Sequence, residues 1–384
     1  MRLRVVETGE GLRSLEGEWR CAYVESDCDN PFLSWDWVWL WWRHFGDQHR
    51  LSILVVEDGR GIAGIAPLAV TAGGARTLCR PRIHFIGDEA LADYSDFLIV
   101  RDCQQVVAAV IAWLGAQRGW GRFDLRRVPE RSLALVGFRG AMTMPGIRGR
   151  LAVECRSPYA AIDDEWERYL ASRSKALRQE LRTAENRLRR LGRLRWESGE
   201  ASIPAEAREA LYALHRRRQA RKVGRSLFEA ERTRAFFDEV MATAGPDWRA
   251  ELSALRLDGR IISVVLGLRT NATFYYWVPT FDDELRGGSV GKLHLKHLVA
   301  QSFADKCARF DMMIGEEHYK LEWATDAAVH WKITLYPDRR AAAADRVVLS
   351  MENVARHIAA RSRLAQRFRV RLSKSTLNAR TNAG

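Results

Sequence analysis

The chain has 384 residues, of which 47% are hydrophobic and 28% charged, and a formal net charge of +13. An apolar share of that size builds a real core, which excludes a disordered or fibrous protein, and at about 150 residues per domain the length predicts two domains. No run approaches the roughly 18–20 uninterrupted apolar residues of a membrane span. The Met1-Arg2-Leu3-Arg4 start leads to Glu7 and Glu10 without a signal-peptide core, so a cytoplasmic protein is expected.

In chain order, the first marked segment is Asn30-Pro-Phe-Leu-Ser-Trp-Asp-Trp-Val-Trp-Leu-Trp-Trp42, with five tryptophans in eight residues. Ser34 suits the N-cap of a helix whose tryptophans pack on a first sheet, and stacking on bases or sugars is the alternative. Residues 51–57 and 62–70 then flank Asp58-Gly59, a hairpin signal because such turns need positive φ. A helix is expected over 104–117 and a strand at Arg122-Phe123-Asp124-Leu125.

The same order recurs later. Residues 251–257 and 261–268 flank Asp258-Gly259, followed by a strand at 273–278, a helix over 290–306 and Arg309-Phe310-Asp311-Met312. This predicts two copies of one α/β unit joined near residues 140–155: an N-terminal unit over 1–150, a C-terminal unit over 151–340 and a basic helical tail over 341–384. Between the two hairpins, Leu177, Leu181, Ala184, Leu188 and Leu191 form one helical stripe, with Gly192 suited to a C-cap. Further helices are expected over 204–221, with Ala207, Leu211 and Leu214 facing inward, and around Phe236, Phe237 and Val240. A short helix near 318–323 and a strand at 329–336 close the unit.

Positive charge is concentrated in two stretches. Residues 168–195 hold ten Lys/Arg against Glu180 and Glu185, and the chain beyond Glu352 holds eight Lys/Arg and no acid. Such a balance attracts polyanions or an anionic membrane surface, though no RNA-binding aromatic motif or helix-turn-helix accompanies it, so specific nucleic-acid binding is not expected. The six cysteines form no C-x-x-C pair, and no Cys/His cluster has zinc spacing. His294, His297 and His318 lack a metal-site arrangement and read as surface or core histidines, so no metal is expected.

Several motifs carry a family likeness: Ser172-Arg-Ser-Lys-Ala-Leu-Arg178, Leu188-Arg-Arg-Leu-Gly192, Leu214-His-Arg-Arg-Arg218, Tyr275-Tyr-Trp-Val-Pro-Thr-Phe-Asp282, Gly291 opening a helix, and Phe310-Asp311 followed by Gly315, Tyr319-Lys320 and Trp323. Their order resembles GNAT acyltransferases of the CelD/BcsL type, associated with cellulose or exopolysaccharide production. The chain is also similar to FemAB-type aminoacyltransferases, which carry two GNAT units in tandem. The resemblance implies an α/β (α+β) fold of two GNAT-like units, each a mixed, mostly antiparallel sheet flanked by helices, with the first unit degenerate.

It also implies an acyl-CoA donor, acetyl-CoA in the simplest case. A pyrophosphate binds backbone N–H groups at a glycine-rich helix start, and Arg286, Gly287, Gly288, Ser289, Gly291 and Lys292 offer one. Ser289 departs from the glycine of the superfamily's pattern, and a plain turning loop is the alternative. Lys292 opposes the helix dipole, which makes sense if an anion sits there.

Acyl transfer needs a base for the nucleophile and an acid for the leaving group. The resemblance makes Tyr319 the acid and Glu317 or Asp282 the base, directly or through water. It puts Arg217, Arg218, Tyr276, Trp277, Asp311 and Lys320 on the acceptor side. Lys320 would neutralise phosphate on a nucleotide- or lipid-linked acceptor or pair with Glu316 or Glu317; Asp311 could instead orient backbone. The expected activity is acyl-CoA-dependent N- or O-acyl transfer in envelope or exopolysaccharide metabolism, with a sugar, nucleotide-linked or lipid-linked acceptor. The alternatives are a FemAB-like enzyme with a tRNA-borne donor and a non-catalytic polyanion-binding scaffold.

Overall fold

A computed structural model of the chain describes residues 1–71, 80–87, 91–144, 148–199, 205–222, 224, 226–243, 245–285 and 289–347. The expected Arg286, Gly287 and Gly288 and the tail from 348 onward lie outside the described residues.

The first half runs β1 (Arg2–Val6), α1 (Gly9–Ser14), α2 (Glu16–Glu25), α3 (Trp35–Phe45), β2 (His49–Asp58), β3 (Gly61–Thr71), β4 (Arg82–Phe85), β5 (Leu98–Ile99), α4 (Cys103–Ala116), β6 (Arg122–Pro129), α5 (Leu133–Ala141) and β7 (Gly149–Ala161). The second half runs α6 (Trp166–Ser172), α7 (Lys175–Leu191), β8 (Leu194–Gly199), α8 (Ala205–Lys222), α9 (Glu231–Ala242), β9 (Arg249–Leu257), β10 (Arg260–Arg269), β11 (Thr273–Phe281), α10 (Val290–Ala304), β12 (Arg309–Asp311), α11 (His318–Leu321) and β13 (Asp326–Leu335).

All these strands join one sheet, in the order β1-β2-β3-β4-β6-β13-β7-β12-β11-β10-β9-β8, with β5 on β3. The duplication is visible in the pairing. β1-β2-β3-β4 and β8-β9-β10-β11 are antiparallel, and each run ends on a parallel neighbour, β6 for β4 and β12 for β11. A long crossover containing a helix precedes each parallel strand, α4 in one repeat and α10 in the other, as a parallel connection requires.

The last strand of each repeat is exchanged. β7, which runs through the expected join, pairs with β12 of the second repeat, and β13 pairs with β6 of the first. β7 and β13 then pair with each other over Asp326↔Tyr159 to Leu335↔Gly149, closing the centre of the sheet.

Local chemistry explains most elements. Ser34 caps α3 by accepting the Trp37 N–H at 3.2 Å, as expected. The tryptophans do more than cover a first sheet, however. Trp37 packs edge-on against Phe236, Trp248 and Trp277 of the second repeat, and Trp248 Nε1 donates to Ser34 Oγ at 2.7 Å. The main core therefore runs through both repeats.

On α7 the stripe buries Leu177, Leu181, Ala184 and Leu188, while Leu191 is exposed where the helix ends. Gly192 has an extended φ of 164°, so its role is not that of a left-handed cap. A Cβ there would collide with the Asp258 carboxylate, whose Oδ1 accepts the Arg193 N–H at 2.7 Å. Strand β8 was not expected; it pairs with β9 as the outer edge of the second repeat. Among the described residues no helix is long and apolar enough to cross a membrane.

Candidate active site

The site opens where β11 and β12 part. They pair from Thr273↔Arg309 to Tyr275↔Asp311, after which β12 ends and β11 continues to Phe281. A crevice at the carboxyl ends of parallel strands is a natural ligand site, and the crossover α10 brings its N-terminus, the positive end of its dipole, to the same end. Two cavities of about 360 Å³ each lie there and share Arg218, Tyr276, Pro279 and Tyr319. One follows Phe281 and Asp282 to the first turn of α10; the other reaches Asp93, His215, Trp277, Glu317 and Lys320.

Tyr319 stands at the junction of the two cavities. Burial, with Glu317 nearby, pushes its hydroxyl well above the ordinary value, so it stays protonated through neutral pH; its place between the two cavities, not its acidity, fits it to donate to a leaving group. Tyr276 is buried beside it, and its hydroxyl is raised by desolvation and by Tyr319. Arg218 lies over the Phe281 ring, 4.2 Å from its centroid, and Nη1 donates to Pro279 O at 3.4 Å.

The expected bases differ in their surroundings. Asp282 is 2% exposed; it accepts the Glu284 N–H at 3.1 Å and meets Arg260 at 3.0 Å and Arg217 at 3.6 Å. These contacts engage both its oxygens in bracing the loop. Arg217 also reaches Glu284 at 3.8 Å, and Arg221 pairs with Asp283 and Glu284, so this basic face of α8 is largely matched by the 282–284 loop. Glu317 occupies the N-cap position of α11, keeps 56% of its side chain exposed and meets Lys320 Nζ at 3.0 Å. Lys320, 6% exposed, also donates to Ile314 O at 2.6 Å.

Asp311 is a brace beneath the cleft. Its Oδ1 accepts the Tyr94 hydroxyl at 2.7 Å and the Met313 N–H at 2.8 Å, and its Oδ2 meets Arg309 at 3.1 Å. Trp277 lines the second cavity yet stacks on Phe237 at 4.7 Å, so it belongs to the core as well.

At the start of α10, Ser289 adopts φ 43° and ψ 37°, the left-handed region that favours glycine. The loop thus keeps a glycine-type backbone although the residue has changed, and Ser289 Oγ donates to Glu180 Oε1 at 2.5 Å. Lys292 Nζ lies 2.7 Å from both Glu180 and Glu322. The anion that the lysine was expected to meet is therefore a pair of carboxylates within the chain. Gly291 is demanded by packing, since a Cβ there would stand 2.8 Å from Phe281 Cδ1.

An acyl-CoA meets a mixed reception here. The cavity along Phe281 and Tyr276 suits a thioester arm, and Arg218 with the first turn of α10 suits an anion, whereas Glu180 faces the place where a pyrophosphate would lie. The histidines are dispersed. His294 is buried between the hydroxyls of Ser253 (2.9 Å) and Ser263 (2.8 Å), and burial pushes it down to about 3. His297 stacks on Trp196, and His318 is exposed.

Asp93, His215 and Glu180 carry no site role in the motifs above, although His215 stands within Leu214-His-Arg-Arg-Arg218. Glu180 had a signal, since it sits on the polar side of the α7 stripe one residue before Leu181. Asp93 had a fainter one, the polar run Asp93-Tyr-Ser-Asp96 between apolar residues, with nothing to say where it docks.

Comparison with known proteins now bears on this cleft. Residues 175–321 match the family described as Acetyltransferase (GNAT) domain. The chain carries a GNAT acetyltransferase domain. The acyltransferase assignment follows from it, and the domain contains α7, α8, β9–β11, α10 and Tyr319. The whole chain is similar in fold to FemX (12% identity, TM-score 0.58, covering 87% of this chain and 97% of that one). It is also similar to L-PGS from Bacillus licheniformis (12%, TM-score 0.53, 87% and 95%). A tandem GNAT protein from the clavulanic acid biosynthesis pathway matches at 14% identity and TM-score 0.50, over 88% and 99% of the two chains. No curated protein sequence matches the chain. The matched segment thus sits within a fold that this chain shares with nearly the full length of both FemX and that tandem GNAT protein.

Proposed function

We propose that the second repeat is an acyl-CoA-dependent N- or O-acyltransferase acting on a sugar, nucleotide-linked or lipid-linked acceptor in envelope or exopolysaccharide metabolism. In this reading the first repeat (1–150) is degenerate, the catalytic unit spans 151–340, and the basic tail contacts a polyanion or the inner face of a membrane. The observation that carries the reading is Tyr319, a hydroxyl held protonated by burial at the junction of two cavities, inside the segment that matches the GNAT domain. The thioester arm would lie along Phe281 and Tyr276 with Arg218 and the start of α10 on its anionic end. Bound acyl-CoA would supply the activated carbonyl. Tyr319 would hold the proton for the leaving sulfur, and Lys320 would neutralise charge on the acceptor.

A second reading has its own support. Glu180 confronts the α10 N-terminus, where it would repel a pyrophosphate, and the fold is shared with FemX. A tRNA-borne aminoacyl ester would need no pyrophosphate at that place. Calorimetric titration with acetyl-CoA and CoA, repeated on Gly291→Trp, separates the two. Binding that is lost in the variant supports the CoA donor; absence of binding to folded protein removes it and favours the tRNA-borne donor.

A further inference from the structure

We propose that Asp93, carried by the first repeat, is the base that takes the acceptor's proton in the cleft of the second. The inference rests on the acyl-transfer reading above and adds to it a residue that lies outside the matched domain.

Position is the first argument. Asp93 lines the same cavity as Tyr319, Glu317 and Lys320, although more than 220 residues of chain separate it from them. It keeps 20% of its side chain exposed and so remains open to the cavity. Rigidity is the second. Its neighbour Tyr94 donates to Asp311 Oδ1 at 2.7 Å and stacks face to face on His330 at 4.7 Å. Ser95 Oγ donates to Arg126 O, and Asp96 accepts the Ser132 hydroxyl at 2.5 Å. A carboxylate on a segment pinned at three successive residues is preorganised, as a catalytic group must be.

The electrostatic surroundings of Asp93 suit a base as well. Burial pushes Asp93 up to about 6, partly countered by Arg127 and Lys320 and reinforced by Asp311. Cys155 of β7 is also close enough for the two to influence each other, and Glu317, His215 and Arg218 share the cavity. A base works best with a pKa near the working pH. Arg260 and Lys320 hold Asp282 and Glu317 at 3.0 Å, whereas Arg127 Nη1 stands 3.9 Å from Asp93.

The step balances. The acceptor's amine nitrogen or hydroxyl oxygen attacks the acyl carbon while Asp93 takes its proton. The tetrahedral adduct then expels the leaving group, which receives the proton of Tyr319, and solvent returns the proton from Asp93 to Tyr319.

The test is the pH dependence of kcat/KM between pH 5 and 9, followed as thiol release from acetyl-CoA with water and with an amine sugar as acceptors. Wild-type protein, Asp93→Asn, Asp93→Glu and Glu317→Gln are compared. The expected result is a wild-type rate rising through a limb near pH 6. Asp93→Asn should fall by about 10²-fold or more and lose the limb, with melting temperature and CoA affinity unchanged. Asp93→Asn within threefold of wild type with its limb intact, or a limb removed by Glu317→Gln instead, overturns the proposal while leaving the acyl-transfer reading standing. If Asp93→Asn fails to fold, Asp93→Glu decides: a displaced limb supports the assignment and an unmoved one overturns it. Absence of turnover in wild type with every acyl-CoA tried, without CoA binding, overturns the acyl-CoA reading and the assignment with it.

Discussion

Apart from β5, which pairs only with β3, the two repeats have matching strands in the same order, and they differ at the end of the parallel pair. In the second repeat β11 outruns β12 and leaves a cleft. In the first, β4 ends at Phe85, and the chain after it turns at Gly87 (φ 87°) against the rings of Trp37 and Trp41. The helix starts differ too. Asp102 and Ser289 both cap their helices with left-handed φ, 50° and 43°, so duplication preserved the backbone. Asp102 sets a carboxylate at the positive end of the α4 dipole, near Arg60 at 3.6 Å, and makes that end unwelcoming to an anionic ligand. The 91–97 segment and the tryptophans of the first repeat pack into the second, through Tyr94 on Asp311 and Trp37 on Phe236 and Trp277.

Tyr319→Phe should lower kcat by about 10²–10⁴-fold without changing the melting temperature, as the loss of one positioned proton donor does. An active variant would leave the two repeats without a catalytic distinction at this residue. Trp37→Ala tests the shared core and should cost about 3–5 kcal/mol, the usual loss for a fully buried aromatic. Because Trp37 touches both repeats, denaturation followed by fluorescence and by circular dichroism should remain a single transition. Two separated transitions would mean that the repeats are independent.

Acid should weaken the second repeat through its buried histidines. Burial holds His294 down to about 3, and His215, desolvated and near Arg218, down to about 4. The unfolded chain takes up these protons near pH 6.5 and the folded chain does not, so their contribution is present above that pH. It is lost as pH falls toward the folded values, at up to about 1.4 kcal/mol per pH unit for each group. Urea titrations from pH 7 to pH 4 read that slope, and a His294→Gln variant should show a shallower one. The smallest effects belong to the two helix caps. Ser289→Gly relieves left-handed strain but loses the bond to Glu180, and Asp102→Gly relieves the same strain in the first repeat, so each should move stability by no more than about 1 kcal/mol. Thermal melts of the pair would show whether the two loops are still equivalent.

The legible part of this fold was the local part. The α7 stripe, the Asp-Gly hairpins, the Ser34 cap and the repeated Arg-Phe-Asp strand follow from turn chemistry and periodicity within a few residues. Strand β8 could have been found the same way, since Leu194 and Trp196 alternate with polar residues. The exchange of β7 and β13 could not, because both strands would pair acceptably in either arrangement, and the choice is made by residues far away in sequence. At the site, Tyr319 and Lys320 were reachable through the family motifs. The neutralisation of Lys292 by Glu180 and Glu322 was not, because the two carboxylates come from separate helices. Asp93 was hidden for the same reason.

The exchanged strands also set a timetable for synthesis. When β7 leaves the ribosome its partner β12 is still about 150 residues away, and β6 waits longer for β13. At translation rates of about 5–20 residues per second, the β7 edge waits roughly 7–30 s for its partner and the β6 edge about 10–40 s. An exposed edge invites pairing with other chains. Slower translation of the second half would lengthen that exposure.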